Sequence, residues 1–218
     1  MQANIDVLHE LNKAGAVLLD RHFVYKSKRH GSGYINMDPL FPDAILTMQI
    51  CAMLANPFDR TFDTVAAPAV GGVALAVLTA AAASRGRARV YAVWADKDGD
   101  NFAFERAGFV DHLRAKRVMV VEDLLTTGGS VAKVCREAEQ HGAKLVGVSV
   151  ICNRGGVTAE QLRVPILEAL TSVNFPAVDA AECELCRNDV PIVEDIGHGA
   201  QYRARHPDYA GGYVKLLA

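Results

Sequence analysis

The stretch that most constrains this chain is Arg117-Val118-Met119-Val120-Val121-Glu122-Asp123-Leu124-Leu125-Thr126-Thr127-Gly128-Gly129-Ser130. Four consecutive apolar residues, Val118 to Val121, suit a strand buried on both faces, and such strands belong to parallel sheets. Two adjacent acids, Glu122 and Asp123, end the run. Gly128 and Gly129 permit a tight turn in which backbone N–H groups approach an anion closely. The segment from Ser130 to Ala138 has the pattern of a helix, whose first turn leaves N–H groups unpaired. Those donors and the helix dipole make a phosphate site. The acids add what a plain phosphate loop lacks, because they accept hydrogen bonds from hydroxyls. A sugar phosphate fits both parts, with hydroxyls on Glu122 and Asp123 and phosphate on the turn. The ordinary alternative is a strand–turn–helix carrying a surface acid pair.

The same unit recurs upstream. Thr64-Val65-Ala66-Ala67 reads as a short buried strand, Pro68-Ala69-Val70-Gly71-Gly72 as its turn, and an alanine-rich helix runs to about Ser84. Further strands are expected at Arg89–Trp94 and Leu145–Cys152, and a helix at Ala44–Leu54. Strands near 64, 90, 118 and 146 alternate with helices near 72–84 and 130–141. That order predicts an α/β fold with a mainly parallel sheet flanked by helices. Ligands of such sheets sit beyond the carboxyl ends of the strands. The turn at 68–72, Asp96-Lys97, the acid pair with its turn, and Asn153-Arg154 should therefore converge.

The flanks read differently. Residues 4–20 have helical spacing, with Ile5, Leu8, Leu11, Val17 and Leu18 on one face and Gly15 as a weak point. His22 to Asn36 reads as a strand, a basic glycine-containing turn and a second strand, and the groups from Lys26 to His30 are candidates for an anionic ligand or a solvated hairpin tip. Asp96 to Asn101 reads as a polar turn, followed by a hairpin arm over Phe102–Phe109 and Val110. After about Pro165 the strand–helix rhythm stops. The two ends are expected to form a small cap.

The function classes narrow by exclusion. A net charge of −2 on 218 residues gives no reason to expect nucleic acid or a membrane as partner. The apolar Val73–Ala83 run is too short to span a bilayer. The start lacks the basic and apolar regions of a signal peptide, and five cysteines do not suggest a disulfide scaffold, so a cytoplasmic location is expected. No Gly-x4-Gly-Lys-Ser/Thr and no Gly-x-Gly-x2-Gly occurs, which removes most support for an ATPase or a dehydrogenase.

The opening stretch resembles the phosphoribosyl-diphosphate signature of type I phosphoribosyltransferases: an apolar strand, two acids, two variable residues, then Thr-Thr-Gly-Gly-Ser. The resemblance implies that Glu122 and Asp123 hold the ribose hydroxyls and that Leu124, Leu125, Thr126, Thr127, Gly128, Gly129 and Ser130 line the 5-phosphate site. Within the family the chain looks most like the orotate phosphoribosyltransferases, over roughly residues 20–155. Phe23-Val24-Tyr25-Lys26-Ser27 and Ser32-Gly33-Tyr34-Ile35-Asn36 are similar to their base-binding segment. Lys26, Tyr34, Ile35, Thr126 and Arg154 are thereby implied to meet the base. An arginine at 154 suits the orotate carboxylate physically; a strand-end arginine capping a local acid is the plainer reading. Pro68–Gly72 resembles their diphosphate loop, so Val70 and Gly71 are implied to bind diphosphate. That loop often carries a non-proline cis peptide, here at Ala69–Val70 or beside it.

The implied reaction moves phosphoribosyl from phosphoribosyl diphosphate to orotate in pyrimidine biosynthesis. Mg²⁺ arrives with the substrate, Lys97 and Asp123 act in catalysis, and a homodimer completes the site. The implied fold is a single phosphoribosyltransferase domain over 1–218, with a core at about 60–155 and the cap from about 1–45 and 165–218. One departure stands out. The family's catalytic loop carries an Arg-Lys pair, then another Lys and a His. Here only Lys97 matches, Asp96 takes the Arg position, and Asp100 and Phe102 fall near the later two. Arg106, Lys28, Arg29 or Mg²⁺ would have to compensate. Transfer to another base, or non-catalytic binding of phosphoribosyl diphosphate or a nucleotide, therefore stay open as alternatives.

Cys183-Glu184-Leu185-Cys186 is a zinc half-site that needs two more ligands. His198, His206 or the same pair from a second subunit are the candidates; a similar tail occurs in a subset of orotate phosphoribosyltransferases, so a structural turn is the other reading. Cys51, Cys135 and Cys152 read as small core residues.

Overall fold

The computed structural model describes residues 5–58, 61–86 and 88–216. In chain order its helices are α1 (Val7–Lys13), α2 (Ala44–Ala55), α3 (Gly72–Ala83), α4 (Gly129–Gln140), α5 (Ala159–Leu162), α6 (Glu184–Arg187) and α7 (Gly199–Arg205). Its strands are β1 (Val17–Leu18), β2 (Phe23–Val24), β3 (His30–Gly31), β4 (Tyr34–Ile35), β5 (Thr64–Pro68), β6 (Tyr91–Asp98), β7 (Asn101–Ala103), β8 (Arg117–Leu125), β9 (Lys144–Asn153), β10 (Leu167–Ser172), β11 (Ile192–Val193) and β12 (Tyr213–Val214). These fall into two compact units. The first is Met1–Leu8 with Leu40–Val173, the second His9–Pro39 with Asn174–Ala218.

In the first unit, six strands among the described residues form one sheet in the order β10-β9-β8-β5-β6-β7. All neighbours pair parallel except β7, which returns antiparallel on β6. The middles of the central strands are apolar: Val65, Ala66 and Ala67 on β5 and Val118 to Val121 on β8 are wholly buried. α4 shows the matching helix logic. Val131, Val134, Cys135 and Ala138 recur at helical spacing and are buried, while Arg136 and Gln140 face away. α2 is capped by Asp43, whose carboxylate accepts from the N–H groups of Ile45 and Leu46 at 3.1 and 2.9 Å.

Strand order fixes where a ligand can sit. β5 lies beside β8, yet the chain leaves β5 through α3 for β6 on one side and leaves β8 through α4 for β9 on the other. Neighbouring strands whose connections diverge leave a crevice at their carboxyl ends. The turns after Pro68 and after Leu125 border it.

The second unit is built from short pairings. β2 and β3 form an antiparallel hairpin, β1 pairs antiparallel with β4, and β11 pairs parallel with β12. Its two chain segments are stitched by backbone bonds: His30 N–H to Val178 O at 2.8 Å, Val178 N–H to His30 O at 2.9 Å, and Val193 N–H to His22 O at 2.9 Å. Phe23, Tyr25, Val193 and Ile196 are buried together.

Several expectations are corrected. The helix over 4–20 is only Val7–Lys13 (Asn4 lies outside the described residues). Gly15 ends it at φ +78, with Ala16 N–H returning to Leu11 O at 2.9 Å, and Val17–Leu18 becomes a strand. The rhythm does not stop at Pro165, because β10 adds a parallel edge strand on β9. The arm expected over Phe102–Phe109 and Val110 shrinks to β7, and Val110–His112 is a short 3-10 turn.

Candidate active site

β8 runs on through the acid pair to Leu125, so Glu122 and Asp123 are strand residues at the mouth of the crevice. Alternation sends them to opposite faces, and their surroundings differ. Glu122 is 9% exposed and Asp123 is half-buried. Glu122 Oε1 accepts from the Asp123 N–H at 3.1 Å. Burial first, and the neighbouring Asp123 carboxylate second, push the Glu122 carboxyl well above the ordinary carboxylate range. Near neutral pH the free protein therefore keeps a proton on Glu122, beside Asp123.

Next to the acids, Thr126, Thr127, Gly129 and Ser130 are exposed and Gly128 is buried. Gly128 sits at φ +72, immediately before α4. A Cβ there would stand 2.7 Å from Leu162 Cδ2 and 3.1 Å from Val157 Cγ1. Both conformation and space thus demand glycine. Glu122 and residues 124–131 line a hollow of ≈ 60 Å³, well above the roughly 10–15 Å³ of such space that one water needs. No cationic side chain lines it, so its attraction for an anion comes from backbone N–H groups and the α4 dipole.

The turn is held from behind. Arg154 and Gly155 N–H groups both donate to Leu125 O, at 2.9 and 3.0 Å. Asn153 closes the following loop, donating through Nδ2 to Val157 O at 2.8 Å and accepting from Val157 N–H at 3.0 Å. Gly155 packs so tightly on the Thr126 carbonyl that a Cβ has no room. Leu125 itself is buried in the core, and its carbonyl is taken by these two bonds. Arg154 is half-buried, and its backbone N–H is part of this clamp.

The second turn meets the first. Ala69–Val70 is a cis peptide bond at the place expected, and Val70 is 86% exposed. Ala69 N–H donates to Ala95 O at 2.8 Å. A Cβ built on Gly71 would lie 3.5 Å from Asp123 Oδ2, so the two turns converge across the β5–β8 crevice.

Lys97 lies on β6 where it pairs with β7, and its side chain is exposed. The segment behind it is a tight hairpin turning at Gly99, φ +55. Asp96 accepts a two-pronged pair from Arg106, Nε to Oδ2 at 2.8 Å and Nη2 to Oδ1 at 3.0 Å, and Arg106 also stacks 5.2 Å from the Trp94 ring. Lys133 of α4 donates to Asp100 O at the hairpin tip. Arg106, expected as a substitute cation, is thus engaged within the hairpin.

Lys26, Tyr34 and Ile35 belong to the second unit. Lys26 is exposed on the β2–β3 turn, Tyr34 is half-buried against Phe23 at 5.4 Å between ring centroids, and Ile35 is buried on β4. His30, expected at the basic tip with Lys28 and Arg29, is instead wholly buried. Cys183 and Cys186 also lie in the second unit. The histidines gathered with them are His22 and His30, not His198 and His206. His206 stacks on Tyr202 at 4.3 Å, and the His198 backbone donates to Val24 O at 2.8 Å. Spacing alone missed His22 and His30 because the β2–β3 hairpin brings them to a motif about 160 residues away. It also missed the Gly155 clamp, whose one signal was the Gly155-Gly156 pair after a strand.

A phosphoribosyl transferase domain family model matches residues 43–166. The chain belongs to the phosphoribosyltransferase family. It is 36% identical over 191 residues to an orotate phosphoribosyltransferase of Thermus thermophilus, covering 87% of this chain and all of that one. An orotate phosphoribosyltransferase of Thermotoga maritima is 33% identical, with 87% and 96% covered. Among solved structures, an orotate phosphoribosyltransferase of Mycobacterium tuberculosis superposes with a TM-score of 0.61 at 18% identity, covering 78% of this chain and 97% of that one. An adenine phosphoribosyltransferase of Thermoanaerobacter pseudethanolicus gives 0.56 at 23%, covering 76% and 99%. The fold therefore does not choose the base. Among the described residues, no helix is long and apolar enough to cross a membrane.

Proposed function

We propose that this chain transfers the phosphoribosyl group of phosphoribosyl diphosphate to orotate, releasing diphosphate and forming orotidine 5′-monophosphate for pyrimidine biosynthesis. The observation that carries the reading is the convergence of the Gly71 turn, the Glu122–Asp123 pair and the Thr126–Ser130 turn at one crevice. The α4 N-terminus takes the 5-phosphate, Glu122 and Asp123 accept the ribose hydroxyls, and Val70 and Gly71 take the diphosphate. Asp123 stabilises the positive charge that grows on the sugar as the diphosphate bond breaks, and placing base and sugar in line supplies much of the rest. Lys97 brings a cation to the leaving group.

Mg²⁺ enters with phosphoribosyl diphosphate as part of the substrate. Glu122 and Asp123 offer oxygen groups of the hard kind that suit a ligand bearing such a cation, and an arriving cation would favour the ionised form of Glu122 over the protonated one it holds in the free protein. Bound there, Mg²⁺ supplies charge neutralisation of the diphosphate.

The choice of orotate is supported by the 36% and 33% identical orotate phosphoribosyltransferases and by Arg154, whose backbone is tied to the turn through Leu125 O and whose guanidinium suits a carboxylate. The assignment of Lys26, Tyr34 and Ile35 to the base rests on sequence resemblance, as does a homodimer. In an absorbance assay with Mg²⁺ and phosphoribosyl diphosphate, orotate absorbance falls on addition of enzyme, and Arg154→Ala slows the loss by about a hundredfold, on the order of 3 kcal/mol for a charged hydrogen-bonded contact. No loss at micromolar enzyme overturns the reading. A panel of other bases in the same assay separates a different acceptor from a non-catalytic binder of phosphoribosyl diphosphate. The engaged Asp96–Arg106 hairpin is the observation that favours that second reading.

A further inference from the structure

In the second unit, two histidines and two cysteines converge. His22 immediately precedes β2 and His30 begins β3, so the hairpin sets the two imidazoles side by side. Cys183 precedes α6 at its N-cap position and Cys186 lies within that helix. His22, His30 and Cys183 are at most 2% exposed, and Cys186 is half-buried. One ligand atom from each lies within 4.8 Å of every other.

We propose that His22, His30, Cys183 and Cys186 form a structural Zn²⁺ site that fastens the β2–β3 hairpin to the C-terminal segment. A tetrahedral zinc with Zn–N near 2.0–2.1 Å and Zn–S near 2.3 Å sets neighbouring ligand atoms roughly 3.3 Å (N to N), 3.6 Å (N to S) and 3.8 Å (S to S) apart. The observed separations are 2.8 Å from His22 Nε2 to His30 Nδ1, 3.7 Å from His22 Nε2 to each sulfur, and 3.3 Å from His30 Nδ1 to Cys186 Sγ. Seating the ion parts the two nitrogens by about half an ångström and moves His30 Nδ1 back from Cys186 Sγ by about 0.3 Å, small shifts for side chains already within 4.8 Å of one another.

The hydrogen bonding also suits ligands better than a polar cluster. His22 Nδ1 faces Val190 O at 2.9 Å, a carbonyl that also accepts from Tyr209 Oη at 2.8 Å. An N–H at Nδ1 leaves the Nε2 lone pair aimed into the cluster, the arrangement that orients a metal-bound imidazole. The ring of His30 has Nδ1 contacts to His22 and Cys186, while its Nε2 has no hydrogen-bond partner among the described residues. A wholly buried imidazole whose polar contacts all point at other ligand atoms has little reason to be there as a hydrogen-bonding group. Two thiolates and two neutral imidazoles balance the charge of Zn²⁺, and binding releases the two thiol protons. Four protein ligands leave no open position, so the site is structural and not catalytic, and the mixed sulfur and imidazole set selects zinc over Mg²⁺ or Ca²⁺.

The test is independent of transferase activity. Full-length protein expressed in zinc-supplemented medium and desalted under reducing conditions is analysed for metals by mass spectrometry. About one zinc per chain is expected. Cys186→Ser and His30→Gln lower it at least fivefold, while His198→Gln leaves it unchanged. X-ray absorption of the unmodified protein, which needs no variant to fold, gives a shell of two sulfurs and two nitrogens at about 2.3 and 2.0 Å. Metal-free protein that takes up no Zn²⁺ at micromolar concentration overturns the proposal. So does a shell without two sulfurs, zinc loss in His198→Gln, or a Cys183–Cys186 disulfide in the reduced preparation.

Discussion

Glu122 carries a cost in the free protein that the proposed ribose-binding role would explain. Its carboxyl is nearly buried beside a second acid, so the folded state holds a proton that the unfolded chain has already released above the ordinary value of 4.5. Where the folded state binds the extra proton, stability falls as pH rises, starting at about the unfolded value and continuing until the folded carboxyl has ionised. Glu122→Gln removes that dependence. In thermal melts from pH 5 to 8.5 the wild type loses stability steeply relative to the variant. By pH 8 the variant melts about 2–4 °C higher, the shift expected for ~1 kcal/mol in a chain of this size. Parallel pH curves for the two proteins would falsify this account. The same substitution weakens phosphoribosyl diphosphate about tenfold, because a carboxylate accepting from a hydroxyl is replaced by a neutral amide. A gain in stability with a loss of affinity marks strain held for a ligand.

At the scale of elements, the β8–turn–α4 unit was legible in the sequence because each of its parts is a local decision. Val118 to Val121 choose a buried strand, Gly128 chooses a left-handed turn, and Val131, Val134, Cys135 and Ala138 choose one helix face. What the local pattern lacked was the back wall. Leu162 and Val157 press on Gly128, and Gly155 presses on Thr126, through contacts made only when β9 lies beside β8. Gly128→Ala therefore meets both an unfavourable φ and a filled space. It is expected to cost about 1–3 kcal/mol of stability and to raise the dissociation constant for inorganic phosphate or phosphoribosyl diphosphate at least tenfold by calorimetry. The neighbouring Gly99, which has φ +55 but open space around it, gives a milder control. The β6–β7 hairpin shows the opposite case. Its composition flagged missing cations, but only pairing shows that Arg106 is spent on Asp96 and Lys133 on the hairpin tip.

For the whole molecule, the family's two-fold assembly belongs to the proposal, and sedimentation equilibrium tests it: a mass near twice 23.4 kDa is expected, and a monomer at tens of micromolar would count against it. The sequence by itself determined the α/β class, the strand–turn–helix repeat, the acid pair and the glycine turn that follows it. Each depends on residues within about fifteen positions of one another, where periodicity and turn chemistry act directly. Only tertiary structure decided the rest. β10 joins as a sixth strand because β9 offers it an edge. Gly71 reaches Asp123 because β5 is inserted beside β8 from fifty residues upstream. His22 and His30 meet Cys183 and Cys186 because backbone bonds stitch the hairpin to residues 178 and 193. Pairings between distant segments are set by packing and strand order, and no short window of sequence carries that information.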